Sequence, residues 1–246
     1  MALDLKKMRE KFTVLKNGGS NFKNLWWKPQ NGENTIRIVP TSDGDPFKEA
    51  YLHYSVTKGG VLCPKKNFGE ECSICEYVSE LYDSKEEESI AAARNLVAKR
   101  RFFSPVLDRK EEHGSVRWWG YGKKVYEKLL NLVLNPEYGD ITDDKTGTDL
   151  DISYGKAPGM KFPGTEVTPR RKPSIVTDDD TLLTEISEFD TDVLALFQRK
   201  TSAEVSELLD VFLLGEDADE GGDESPAVGN EVTTAIEQKY KDLLEG

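Results

Sequence analysis

One histidine and three cysteines fall within 23 residues: His53, Cys63, Cys72 and Cys75. The last two form a Cys-x-x-Cys knuckle, "CSIC". Four nitrogen and sulfur donors are the complement that a tetrahedral zinc ion takes, and a complete set leaves no open position for an activated water. The chemistry it suits is therefore structural rather than hydrolytic. A redox Cys-x-x-Cys would leave His53 and Cys63 without a role. The plain alternative is three free thiols, one of them buried and inert. The cysteine count is odd and confined to this segment, which argues against a disulfide framework and for a reducing compartment. The other histidine, His113, lies in an acidic turn and is expected in solvent.

Several elements must position those donors. "EAYLHYSV" reads as a strand that delivers His53, and "EYVSELYD" as a helix that continues from Cys75. Ser84 and Glu87 have the spacing of a capping box for a second helix through Ile90, Ala93 and Val97. "NLWWKPQNGENTIRIVPTSDG" predicts two strands around the Asn31-Gly32 turn. The basic run "AKRRFFSPVL" predicts a strand whose hairpin partner is "VRWWGYGKK". "KKVYEKLLNLVLN" carries Val125, Leu129, Leu132 and Val133 on one helical face. A Gly/Asp-rich stretch, a short strand and a loop bearing Arg170, Arg171 and Lys172 follow.

Residues 181–214 read as helical. The last helix has Thr201 and Glu204 as its capping box and Gly215 beyond its end. Residues 3–15 predict a short basic amphipathic helix with Lys6, Lys7 and Arg9. No apolar run approaches the roughly 18 residues of a membrane span, and "MALDLKKMREKF" is charged where a signal peptide is apolar.

The net charge of −12 argues against a nucleic-acid partner until it is divided along the chain. Up to Thr177 there are 29 cations against 25 carboxylates; from Asp178 onward there are 4 against 20. The body is mildly basic and the acidity belongs to the C-terminal third. Within Arg94–Lys128, ten cations face four acids and are interleaved with aromatic rings. The candidate nucleic-acid contacts are the cations Lys99, Arg100, Arg101, Arg117, Lys123 and Lys124, with the rings Phe102, Phe103, Trp119 and Tyr121. Phosphate neutralisation gives sequence-independent affinity. Stacking adds about 1–3 kcal/mol per base and favours single strands.

In "RWWG" the adjacent side chains face opposite ways, so only one of Trp118 and Trp119 is expected to enter a core, leaving the other on a face with its neighbouring cations. Core packing of the rings and a solvated face for the cations are the bland alternatives. No Gly-rich phosphate loop, activated nucleophile or spare histidine points to catalysis. A zinc-dependent nuclease, the rival from another class, needs an open metal position or a second divalent ion on carboxylates.

"TIRIVP", the histidine of "YLHYSV", "CSICEYVS", "AKRRFF" and above all "VRWWGYGKKVYEKL" resemble the zinc-containing single-stranded-DNA-binding (helix-destabilising) proteins of T-even-type bacteriophages. The resemblance covers residues 22–215. It implies an α+β fold: an OB-fold β-barrel core, an inserted zinc-binding subdomain over about 53–98, flanking helices and an acidic disordered C-terminal tail. By this resemblance His53, Cys63, Cys72 and Cys75 hold one structural zinc, and Lys99, Arg100, Phe103, Trp119, Lys123 and Lys124 contact DNA. Trp118 then belongs to the barrel and Trp119 to the bases.

The resemblance further implies a non-enzymatic protein of DNA replication, recombination and repair in the cytoplasm of an infected bacterial host. Its partners would be single-stranded DNA, its own messenger RNA (the rival here being an RNA-binding translational regulator), neighbouring copies along the DNA, and replication and recombination proteins, with no membrane. Residues 1–21 would form a cooperativity arm, weaker in basic residues than the family's. Residues 216–246 would recruit partners through Ile236, Tyr240, Leu243 and Leu244. The seven acids and no cations between Glu216 and Glu231 predict disorder there.

Overall fold

The computed structural model describes residues 25–57, 59–111 and 114–214. The basic N-terminal helix, His113 and the acidic tail with Ile236, Tyr240, Leu243 and Leu244 lie outside these residues. Two compact units emerge: residues 25–48 with 102–191, and residues 49–101 with 192–214.

The first unit is built on a sheet whose central strand alternates for two cores. Its strands are β1 (Trp26–Trp27), β2 (Gly32–Ile38), the greater part of β5 (Lys99–Asp108), β6 (Arg117–Tyr121), β7 (Leu150–Gly155) and β8 (Gly164–Pro169). They lie in the order β1-β6-β5-β2-β7-β8. All pairings are antiparallel except that of β1 with β6. The sheet is open, with β1 and β8 at its ends. The expected β5–β6 hairpin is present, with Phe103 opposite Gly120 and Pro105 opposite Trp118.

The segment before the Asn31-Gly32 turn behaves otherwise than a hairpin arm. Gly32 takes a φ of +95°, which suits glycine. The buried Asn34 clamps the turn, accepting from the Gln30 N–H at 3.1 Å and donating to the Gln30 carbonyl at 2.7 Å. Trp26 and Trp27 then leave β2 and pair in parallel with Trp118 and Trp119. The four tryptophans of the chain thus meet in register, one pair on each face of the sheet.

On one face, Trp27, Ile36, Ile38, Phe102, Val106, Trp119 and Tyr121 pack against α4 (Lys123–Val133) through Val125 and Leu129. Leu132 and Val133 complete that helical stripe, as expected. On the other, Val39, Leu107 and Val116 pack against Leu182, Ile186 and Phe189 at α5 (Asp180–Glu188). A buried Arg37 on β2 lies 3.4 Å from Asp149, which also takes Arg109 at 2.9 Å. Arg109 donates onward to the carbonyls of Ile175 and Val176, fixing the approach to α5.

The second unit holds β3 (Lys48–His53), β4 (Val61–Leu62), α1 (Pro64–Phe68), α2 (Ser73–Asp83), α3 (Glu87–Leu96), a 3-10 turn (Val193–Leu196) and α6 (Ser202–Leu213). Its core includes Val56, Val61, Ile74, Val78, Leu81, Ala93 and Leu96, closed by Val205, Leu209 and Leu213 of α6. The Thr201–Glu204 capping box is formed as expected. The one expected at Ser84 is not: Ser84 ends α2 in helical geometry and donates to the Leu81 carbonyl at 2.9 Å, and Glu86 is the residue preceding α3. The mixed α+β class expected from the sequence is the one observed. Among the described residues no helix is long and apolar enough to cross a membrane.

Candidate metal centre and nucleic-acid surface

Each of the four donors sits at the end of an element. His53 closes β3, directly opposite Val61 of β4. Cys63 follows β4 and caps α1, its Sγ accepting the Lys66 N–H at 3.3 Å. Cys72 occupies the cap of α2 with no side-chain capping bond, and Cys75 lies in that helix's first turn. A helix N-terminus favours thiolate there. Asn67 holds the loop by donating to the carbonyls of Tyr51 and Cys63, at 2.8 and 2.9 Å, and by accepting the Tyr51 N–H.

The four donor atoms lie within 4.8 Å of one another. His53 Nε2 is 3.6 Å from Cys72 Sγ and 3.7 Å from Cys75 Sγ, and Cys63 Sγ is 3.4 Å from Cys75 Sγ. His53 Nδ1 lies 2.8 Å from the Leu96 carbonyl, so Nδ1–H is the donor there and Nε2 is the ring atom turned to the sulfurs. An outer partner of this kind fixes tautomer and ring orientation for metal ligation. His53, Cys63 and Cys72 are buried and Cys75 is half-buried. Burial works to lower the His53 pKa, but hydrogen bonds to Cys63 and Cys72 lift it to about 9. Bonds to Cys63 and Cys75 depress Cys72, while bonds to Cys63 and Cys72 raise Cys75. A set that crowds three sulfurs and an imidazole around one point, sharing out protons, fits a single four-coordinate metal ion. This is the set expected from the sequence, now gathered by the fold.

The expected nucleic-acid residues divide into two groups. Lys99, Arg100, Lys123 and Lys124 are exposed; Arg101 and Arg117 are half-buried. Arg100 pairs with Glu49, Arg117 with Glu111 at 2.8 Å and Lys123 with Glu127 at 3.4 Å. The exposed pairs of Arg100 and Lys123 are worth about 0–1 kcal/mol and exchange readily for phosphate. The rings are a correction. Phe102, Phe103, Trp119 and Tyr121 are all buried, and so is Trp118. Trp119 meets Trp27 edge-on at 5.7 Å and Tyr121 at 4.6 Å. Trp118 meets Phe189 at 5.3 Å. Opposite faces were the right inference from strand geometry; a single core was not, because both faces are covered.

Gly120 leaves space for Phe103, whose ring carbons would lie 3.1 and 3.3 Å from an added Cβ. Trp26, half-buried, sits against that ring at 5.7 Å. The rings that do reach solvent are elsewhere. The β7–β8 connection exposes Met160 and Phe162, the latter 49 % accessible, with the Lys161 ammonium 5.5 Å from its ring centroid. The signal was present in "KAPGMKFPG": two lysines and an aromatic held between proline and glycine at a hairpin tip.

The described residues thus combine a mixed α+β fold, built on an open sheet, with a Cys3His cluster whose donors could hold one metal ion. The family described as gp32 DNA binding protein like matches residues 30–213, about three quarters of the chain. The chain belongs to that family, which is one of DNA-binding proteins. No curated protein matches it.

Proposed function

We propose that the protein binds single-stranded DNA without sequence preference, coating and protecting strands exposed during replication, recombination and repair of a phage genome. Membership of a DNA-binding family is the observation that carries this reading. The surface supports it: exposed cations at Lys99, Arg100, Lys123 and Lys124, and an exposed ring beside a cation at Lys161–Phe162. Arg101 and Arg117 would add charge from partly covered positions. Trp119, Tyr121, Phe102 and Phe103 would act by shaping the sheet beneath the DNA. Phe162, with Trp26, takes over the stacking role in this proposal.

The metal in this reading is one structural zinc. Zn–S bonds of about 2.3 Å and Zn–N of about 2.0 Å give tetrahedral edges of about 3.5–3.8 Å. The two separations from His53 Nε2 to sulfur, 3.6 and 3.7 Å, fall in that range, and the Cys63–Cys75 sulfurs at 3.4 Å lie just below it. Zinc would fix the second unit and carry no reaction step.

Titration with oligo-dT, duplex and RNA of equal length tests the reading. Single strands should bind tightest, with log affinity falling by about 0.7 per neutralised phosphate as log salt rises. Phe162→Ala should weaken binding by one stacking contact, about 1–3 kcal/mol, with an unchanged melting curve. Equal affinity for duplex would overturn the assignment; a clear preference for RNA would replace it with a regulator of translation.

Residues 216–246 carry ten acids against Lys239 and Lys241. In this proposal they compete with DNA for the basic surface and recruit replication proteins through Ile236, Tyr240, Leu243 and Leu244. Deleting them should tighten single-strand binding, most at low salt where charge competition is least screened. Identical salt titrations for the full and shortened chains would show that the tail does not compete.

A further inference from the structure

Three of the four metal-centre donors are sealed: His53, Cys63 and Cys72 have no accessible surface. Cys75 does, and a cavity of about 300 Å³ opens on it. The walls include His53, Lys65, Lys66, Ser79 and Tyr82. That volume holds several waters, each needing about 30 Å³, and so admits a peroxide or a small electrophile. Ser79 and Tyr82 stand one and two turns beyond Cys75 on the same face of α2, so they form the rim. Lys65 and Lys66 are exposed cations. They attract anionic reagents to the mouth. Cys63 Sγ waits 3.4 Å behind Cys75 Sγ.

We propose that Cys75 is the modification site of the metal centre: a two-electron oxidant enters there, Cys63 closes a disulfide with it, and the metal is expelled. With hydrogen peroxide as the oxidant, the Cys75 thiolate attacks one peroxide oxygen. An S–O bond forms, the O–O bond breaks, and hydroxide leaves to take a proton as water. The Cys63 thiolate then attacks the sulfenic sulfur of Cys75. The S–S bond forms, the S–O bond breaks, and a second hydroxide leaves and is protonated. The two thiolates give up two electrons and the peroxide becomes two waters. Only His53 and Cys72 would then remain to hold a zinc ion, two donors short of a closed site, with no change in the metal's own charge. A dithiol and fresh zinc reverse the change.

The inference rests on the zinc reading for its last step, so metal content of the purified full chain is measured first. Absence of metal overturns the zinc reading and metal expulsion together, while the order of thiol modification still decides the role of Cys75. The protein is treated with limiting dithiobis(nitrobenzoate), a dianion, or with neutral dithiodipyridine, and the modified cysteines are mapped by mass spectrometry. Cys75 should react about tenfold ahead of Cys63 and Cys72. Lys65→Gln with Lys66→Gln should slow the dianion and leave the neutral reagent unaffected. Ser79→Phe should slow both by covering the mouth; if that variant fails to fold, the wild-type order decides. Peroxide should give a Cys63–Cys75 disulfide with one metal ion released per disulfide. Modification of Cys63 or Cys72 first, equal rates at all three, or a Cys72–Cys75 disulfide would overturn the proposal.

Discussion

Replacing Trp119 by alanine costs about 3–5 kcal/mol of stability, the usual range for emptying a buried aromatic site. Trp118→Ala costs a similar amount. Each indole is about 1 % accessible. Trp119 fills one core between Trp27 and Tyr121; Trp118 fills the other against Phe189. Each also faces a tryptophan of β1 across the only parallel pairing among the described strands, so its loss loosens the edge of the sheet. Urea melts should show both midpoints falling together. Binding to oligo-dT, corrected for the unfolded fraction, should change far less. A Trp119→Ala protein with wild-type stability and a loss of one stacking contact would return that ring to the DNA.

The contrast between the two tryptophans and the four metal donors shows what a sequence can carry. Sulfur and imidazole donors declare their chemistry wherever the chain brings them, and 23 residues is a short enough loop to close cheaply. Helix α4 was legible because Val125, Leu129, Leu132 and Val133 repeat at helical spacing. The β5–β6 hairpin was legible because its partners are adjacent. The partner of "RWWG" was not, since "LWWK" lies some ninety residues earlier and joins it in parallel. Strand β8 was missed because only Val167 of its six residues is buried, leaving no alternation to read. The spacing of Ser84 and Glu87 promised a cap, but a cap requires extended backbone at Ser84, which instead continues α2. Nothing local in "SAEVSELLDVFL" says that α6 returns to close the core beside the metal donors.

Removing the metal should melt the second unit and spare the first. Cys72→Ser should do the same, because Cys72 is buried at the cap of α2 and touches the other donors. In isolated zinc peptides the metal supplies about 10–16 kcal/mol of folding free energy. Here the apolar core formed by α2, α3 and α6 shares that burden, so the loss should be smaller but still larger than the worth of any single core side chain. The two units carry separate reporters. All four tryptophans lie in the first, whereas α2, α3 and α6 lie in the second. Chelation should therefore remove helical signal in the far ultraviolet while tryptophan fluorescence holds. The loss should also depend on pH in one direction. In the metal-free set His53 holds its proton up to about 9 and the Cys75 thiol is raised as well. Metal must displace those protons, and protons compete harder as pH falls. A chelator should then strip the protein faster at about pH 6 than at about pH 8. Unchanged helical signal in a demonstrably metal-free protein would mean that the apolar core alone holds the unit, and that the four donors have no structural work to do.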